Sequence, residues 1–331
     1  MPTFCRHNRL VQNCSICSRE QAVEPRPLVS SGTSGTGASG ATTEKPRRAP
    51  RRQGPARARG SDAAGLRVRR LTRGADDGFR SPLVPGLRSS EDAERLAREL
   101  VFAASRLRKL EQEPPGLYAE VASAGLDLEE RTWLAMLIAY LGPLEEADPF
   151  AEVKRVRTKW SSGELPDLVD VRLGPRSAHD LARGVRTLEA YRGWATRAGS
   201  QQAALVGDPS WSAERRFERA FERLALPGFQ RDARFEFLTT LGSLGLYELS
   251  AGKLQLGGPD TVTVAAKRAL GIGDPLLLER RAAELARACA VPLAALDLAF
   301  YNWEAGAPVT GAVEDRQEPD SLPAAKQALG L

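Results

Sequence analysis

Residues 132–141 read TWLAMLIAYL, an almost unbroken apolar run. Asp127 and Glu130 stand before it as a capping box, which sets the run as a helix. A helix apolar on every side must be enclosed by others, so this stretch is expected to be the central buried helix of the fold. It is too short to cross a bilayer, and no other apolar run in the chain is long enough to do so.

The rest of the chain from about Ser89 repeats the helical pattern. SEDAERLARELVFAASRLRKLE has acids in its first turn and bases in its last, matching the helix dipole. Further helices are expected near 147–160, 176–198, 212–225, 231–246, 261–270, 276–290 and 292–305. Strand patterns are nearly absent, so the body is expected to be all-α. The four expected regions are a zinc-binding module over 1–20, a disordered Arg/Gly/Ser/Pro-rich linker over 21–88, the helical domain over 89–308 and a loose C-terminal tail over 309–331. The linker has almost no aromatic residues and too little apolar surface to bury.

Charge divides along the same lines. The formal net charge is +5, yet residues 45–73 hold eleven Lys or Arg against the single Asp62. From Glu91 onward there are 30 basic and 36 acidic residues, a net of −6. The basic character therefore belongs to the linker. KPRRAPRRQGPARARG and RVRRLTR have the density of a nucleic-acid arm that would hold phosphates without reading bases, and equally the look of a solvated linker. With no greasy N-terminal segment and no spanning helix, a soluble cytoplasmic protein is expected, nucleoid-associated if it binds DNA.

Cys5, His7, Cys14 and Cys17 stand as C-x-H-x6-C-x2-C, and His7 is one of only two histidines in the chain. Three thiolates and an imidazole close a tetrahedral zinc site, structural because no coordination position stays open. So short a segment needs its metal in order to fold. An iron–sulfur cluster ordinarily takes four cysteines, and unconnected thiols in a frayed tail are the plainer alternative. A zinc module of this kind would dock to protein or to nucleic acid. Cys289, alone on a helical face, reads as buried.

In LALPGFQRDARFEFL, residues 224–238, a helix runs into Leu-Pro-Gly and another helix restarts at once, which marks a tight helical hairpin. LPGFQRDARFEFL resembles the helix-hairpin-helix of the DNA glycosylase superfamily, whose turn reads L-P-G-hydrophobic-G. GGPDTVTVAAKRALGI follows with Asp260 and Thr261 where that superfamily opens a helix with an Asp-Thr pair, and LLLERRAAELARACAVPLAALDLAFYNWEAG, residues 276–306, is similar to its closing helices. The resemblance covers 213–306. With its CRHNR…CxxCSRE start and TWLAMLIAYLGPLEEADPF, the whole chain is similar to the bacterial third clade of α-glutamyl/putrescinyl thymine pyrophosphorylases.

This resemblance implies a helix-hairpin-helix domain in which Leu226, Pro227, Gly228, Phe229 and Gln230 present backbone N–H groups to a DNA phosphate, with Arg231, Arg234 and Thr261 beside them. It also implies that Asp260 carries the chemistry. The expected reaction is displacement of pyrophosphate from a modified thymine by an amine. Base release by a monofunctional glycosylase and non-catalytic nucleic-acid binding in a defence-linked protein are the alternatives. Two departures stand out: Gln230 replaces the second glycine, and Asp232 replaces the lysine of lyase-active relatives, which argues against a Schiff base there. Asp260 is equally a good N-cap in its own right. Trp133, Tyr140, Trp194, Trp211, Tyr301 and Trp303 are the aromatic candidates for a base pocket, though most are expected to fill the core, as the i, i+7 spacing of Trp133 and Tyr140 suggests. Arg131 reads as a phosphate contact or a surface residue, and His179 as exposed or locally satisfied.

Overall fold

The computed structural model describes residues 74–306, 308–313 and 321–331, and among these no strand forms. The twelve helices are α1 (Ser90–Gln112), α2 (Leu117–Ala122), α3 (Leu128–Leu141), α4 (Ala151–Val156), α5 (Arg186–Arg197), α6 (Gln201–Val206), α7 (Ala213–Arg223), α8 (Arg231–Ser243), α9 (Thr261–Leu270), α10 (Pro275–Ala288), α11 (Ala295–Ala305) and α12 (Leu322–Leu329). None is long and apolar enough to cross a membrane. The expected all-α architecture is what the described residues adopt.

α3 is the buried centre, with every residue from Thr132 to Leu141 excluded from solvent. α2, α4 and α6 pack around it, and α8 lies along it. A second group forms on α1, against which α11 and α12 pack, with α9 on α11. α8 also touches α1, so it joins the two groups. Aromatic rings fill the space between α3, α5 and α8: Trp133 stacks on Tyr191 at 6.0 Å, and Tyr191 meets Phe237 edge-on at 6.0 Å.

Caps set the helix ends. Ser212, Asp260 and Asp274 each accept a backbone N–H at the start of a helix. At α3 only half of the expected capping box forms. Asp127 accepts from Glu129 N at 2.9 Å, but Glu130 turns away and accepts Trp160 N at 2.7 Å and Ser161 N at 2.9 Å.

Three expectations about segments are corrected. The helix expected over 176–198 starts only at Arg186. Ahead of it, Ser177 and Asp180 accept backbone N–H groups of His179 and Ala182, both at 3.0 Å, and such local bonds compete with helix formation. The end of the presumed linker, from residue 74, is packed on the body: Val84 and Leu87 are buried and Gly86 N donates to Ala269 O. The C-terminal tail is not loose either. Val309, Ala312 and Val313 are buried, and α12 seats Leu322, Ala325 and Leu329 against α1. Their i, i+3, i+7 spacing is an ordinary apolar stripe. The zinc ligands Cys5, His7, Cys14 and Cys17 and the basic run 45–73 lie outside the described residues.

Gly242, inside α8, marks where the following strap crosses the helix. A Cβ there would stand 2.2 Å from the Leu249 carbonyl oxygen. Alanine ordinarily favours a helix over glycine by about 1 kcal/mol. Here the backbone clash dominates, so Gly242→Ala is expected to lower stability by about 1–3 kcal/mol in denaturant unfolding. A variant as stable as the parent contradicts the crossing.

Candidate functional site

The hairpin between α7 and α8 is a type II turn. Phe229 N donates to Leu226 O at 3.0 Å, Pro227 takes the second position, and Gly228 the third at φ 82°. Glycine is required there for space as well as for φ. A Cβ would lie 2.4 Å from Thr187 Oγ1 and 3.1 Å from Arg183 Cδ. Thr187 Oγ1 donates to Pro227 O at 2.9 Å, so the inner face of the turn is clamped to the start of α5. Phe229 is buried, its ring 6.4 Å from that of Phe237, while Pro227 and Gln230 are exposed and Leu226 half-buried.

Gln230 caps α8 without any side-chain hydrogen bond. Among the described residues, the backbone N–H groups of Arg231, Asp232 and Ala233 meet no acceptor. They therefore keep no acceptor within the described residues, and the helix dipole puts positive potential at this end; Arg231 and Ala233 are buried and Asp232 is half-buried.

The two arginines expected beside a phosphate there are engaged elsewhere. Arg234 folds back over the Phe221 ring at 4.3 Å and donates to Phe221 O at 3.0 Å, tying α8 to the end of α7. Burial lowers its pKa. Arg231 points inward and is almost fully enclosed. Its guanidinium bonds Asp297 and the Leu254 carbonyl, reaches Asp232 at 3.0 Å, and lies 3.9 Å from Asp260. Glu279 of α10 holds the strap that supplies this carbonyl, accepting Leu254 N at 2.7 Å and Leu256 N at 2.6 Å.

Arg231 is the outer rung of a buried ladder of alternating charge. From the interior, Arg106 of α1 donates to Glu236 at 2.5 Å and to Gly311 O at 3.2 Å. Glu236 meets Arg176 at 3.4 Å, Arg176 bonds Asp297, and Asp297 bonds Arg231. Side-chain exposure is 3% at Arg106 and at Asp297, 14% at Glu236, and 18% and 16% at Asp232 and Asp260. Three guanidiniums thus face four carboxylates, leaving one formal negative charge in excess, with the more exposed carboxylates at the outer end.

The titration of these groups follows from their surroundings. Burial alone would lower Arg176, but Asp297, Asp232 and Glu236 overcome it and raise its pKa. Burial pushes the Asp297 carboxyl up, yet Arg231 and Arg176 outweigh it, so it ends below its ordinary value. Asp232 goes the other way: burial raises it and Asp297 adds to the effect, more than Arg176 and Arg231 offset. Tyr301 stands beside the outer end. Its ring lies 5.0 Å under Arg176, its hydroxyl donates to Pro175 O at 3.0 Å, and burial raises its pKa.

Asp260 is the N-cap of α9. One carboxylate oxygen accepts Thr263 N at 2.9 Å and the other Thr263 Oγ1 at 2.7 Å. The capping role read from the sequence is therefore present. Thr261 follows at the first helical position, half-buried.

Of the aromatic candidates, Trp133, Tyr140 and Trp303 are fully enclosed core residues and Trp194 is nearly so. Trp211 is half-buried beneath Arg215 and Arg223, leaving Tyr301 as the member of the set beside the ladder. Arg131 donates to Val121 O at 2.7 Å. His179 is buried with Nδ1 3.0 Å from the Tyr140 hydroxyl, and burial lowers its pKa. Cys289 is buried and free, its thiol pushed up to about 11 by burial. Among the described residues, no group of three or more His, Cys, Asp or Glu is arranged to hold a metal ion. Arg106, Arg176, Glu236 and Asp297 are the residues missed in the sequence. Glu236 and Asp297 stand within apolar helix stretches, in RFEFL and ALDLAF, but only their partners in the fold mark these four residues as ladder members.

No protein-family model, curated protein or solved structure matches this chain.

Asp297→Asn leaves two buried guanidiniums short of a partner, and at neutral pH it is expected to cost about 3–5 kcal/mol of unfolding free energy. Because the native Asp297 carboxyl lies below its ordinary value of about 3.9, its ion pairs stabilise the fold above that value. Their contribution is lost as pH falls through the lowered native pKa. Denaturant unfolding of both proteins should therefore show a gap that closes in acid; a gap of equal size in acid and at neutrality contradicts the ladder.

Proposed function

We propose that the helical body is a DNA-base-acting domain of the helix-hairpin-helix glycosylase type. In this reading the turn Leu226–Gln230 and the free N–H groups of α8 hold a backbone phosphate, and Asp260 acts at the extruded base. The observation that carries it is the approach of Asp260 to Arg231, 3.9 Å apart, which brings the cap of α9 beside the first residue of the hairpin's second helix. The excess negative charge of the ladder favours a positive charge developing nearby.

A second feature supports the reading. Leu181 is 70% exposed on the loop whose Arg183 packs against Gly228. An exposed leucine beside a phosphate-holding turn is suited to wedge between base pairs when one base leaves the stack.

The substrate proposed is a thymine whose 5-hydroxymethyl group carries pyrophosphate. The C–O bond to pyrophosphate breaks, pyrophosphate leaves with the electron pair, and the amine nitrogen forms the new C–N bond. The ammonium so formed gives its proton to a carboxylate, for which Asp260 is the proposed group. Each of its oxygens accepts one bond from Thr263 and keeps a second lone pair, so Asp260 can meet the ammonium and take its proton while still capping α9. The same charge would favour a sugar cation, which makes base release without lyase action the second reading; α8 carries a carboxylate, Asp232, where a Schiff base would need an amine.

The zinc site at Cys5, His7, Cys14 and Cys17 belongs to this proposal as a structural module that docks to DNA or to a protein partner. One zinc per chain by elemental analysis is expected, and a metal-free preparation removes it.

The test is nucleoside mass spectrometry on duplexes bearing 5-hydroxymethyluracil, with and without pyrophosphate, offered a mixture of amines. A heavier thymidine that vanishes with Asp260→Asn is the expected result. Asparagine is also a good N-cap, so the variant keeps α9. A free base and an abasic site would favour the glycosylase reading. DNA unchanged across the panel, or normal turnover by Asp260→Asn, contradicts the catalytic role and leaves nucleic-acid binding alone.

A further inference from the structure

Leu181 stands at the tip of a turn that Asp180 draws closed. Asp180 O accepts Arg183 N at 2.9 Å and Gly184 N at 3.1 Å. Its Oδ1 accepts Ala182 N at 3.0 Å, and its Oδ2 lies 3.3 Å from Arg183 Nε. A turn bonded in this way moves as one piece, so the direction of Leu181 is set by whatever holds the two ends of that piece.

One end is held at the hairpin, where Arg183 packs on Gly228 and Thr187 clamps Pro227 O. The other end is held at α3 by His179, the residue next to Asp180. His179 is 8% exposed; its ring meets that of Tyr140 edge-on at 5.5 Å, with Nδ1 3.0 Å from the hydroxyl. The backbone strengthens the same joint. Ala178 N donates to Tyr140 O at 2.9 Å, and Ser177 Oγ donates to the same oxygen at 3.0 Å.

These bonds have a direction. Thr187 Oγ1 gives its one proton to Pro227 O at 2.9 Å. It also borders the Tyr140 hydroxyl, where it can only accept, so the phenol donates to Thr187 and accepts from His179 Nδ1–H. A chain of donors therefore runs from His179 through Tyr140 and Thr187 to Pro227, joining the Leu181 turn to the hairpin. Burial favours the neutral imidazole against the pull of Asp180. Its Nε2 is enclosed without a hydrogen-bond partner among the described residues. Enclosing an unpaired acceptor costs free energy, so what this ring contributes is the bond at Nδ1.

We propose that His179 is a positioning residue, which through Tyr140 fixes the Leu181 turn in register with the hairpin. Leu181 then enters the base stack at a set distance from the phosphate held at Leu226–Gln230. The inference rests on the DNA reading above and adds to it the residue that makes phosphate capture and base displacement one rigid act. Rigidity matters because parting two stacked bases costs free energy, and a leucine on a loose loop would bend away instead.

The test uses the full chain and a duplex with 2-aminopurine beside 5-hydroxymethyluracil, whose emission rises when the stack opens. Emission is read at saturating protein, and anisotropy of a dye-labelled copy gives the affinity. The parent chain is expected to raise the emission by about twofold or more as the stack is opened. Leu181→Ala should lose most of that rise with affinity within about threefold of the parent. His179→Leu and Tyr140→Phe should lose most of it too, again with affinity within about threefold. His179→Asn, which offers an amide N–H near the place of Nδ1, should restore it. A smaller folded fraction would lower the apparent affinity and leave the saturating emission unchanged, so a loss of amplitude reports position. A full rise in His179→Leu, or no recovery in His179→Asn, overturns the positioning role and leaves the DNA reading standing. A full rise in Leu181→Ala, or a parent chain that binds without any rise, removes the wedge and the inference with it. A parent chain that does not bind the duplex overturns the DNA reading itself.

Discussion

Arg106, Arg176 and Arg231 cannot be buried without carboxylates, and the chain supplies those carboxylates from distant segments. α1 contributes Arg106, the loop before α5 Arg176, α8 Glu236 and Asp232, α11 Asp297, and the cap of α9 Asp260. Removing one member strands a buried charge, which is far more costly than the net worth of the pairs themselves. The ladder therefore acts chiefly as a specification. It demands that the two helix groups meet in one register, and it delivers α8 and α9 with their starts side by side.

That arrangement divides labour at the hairpin. The side chains of Arg231 and Arg234 serve the interior, one in the ladder and the other on the Phe221 carbonyl. What the hairpin leaves unpaired among the described residues is backbone: the N–H groups of Arg231, Asp232 and Ala233, next to an exposed Gln230. An anion held there is bound by peptide dipoles fixed by the fold, with the cationic side chains lending rigidity from behind. The clamp of Thr187 on Pro227 extends that rigidity to the turn, and through Arg183 it sets the exposed Leu181 beside it.

The central helix, the hairpin turn and the cap at Asp260 were legible in the sequence because each has a local cause. TWLAMLIAYL is apolar on every side, Pro-Gly dictates its turn, and Asp followed by Thr-Val-Thr caps a helix. Residues 176–185 looked helical by composition, but Ser177 and Asp180 spend their side chains on nearby backbone. α12 and the packed stretch around Val84 and Leu87 were hidden because short apolar stripes inside polar segments become visible only when a partner surface exists. The ladder was illegible for a different reason. An arginine in SRLRKL or a glutamate in RFEFL looks like a solvated residue until its partner, more than a hundred positions away, is known.

The account stands on the backbone of the hairpin as its anion contact, and Gln230→Glu tests this at a single exposed position. A carboxylate at the cap competes with phosphate for the free N–H groups, while its charge favours the helix dipole, so α8 itself should be kept. Fluorescence anisotropy of a labelled duplex, titrated across a series of salt concentrations, is the measurement. The expected result is affinity about tenfold or more weaker, with the salt slope reduced by about one phosphate contact and the unfolding midpoint unchanged. Affinity and slope equal to those of the parent chain would contradict the hairpin as the point of contact.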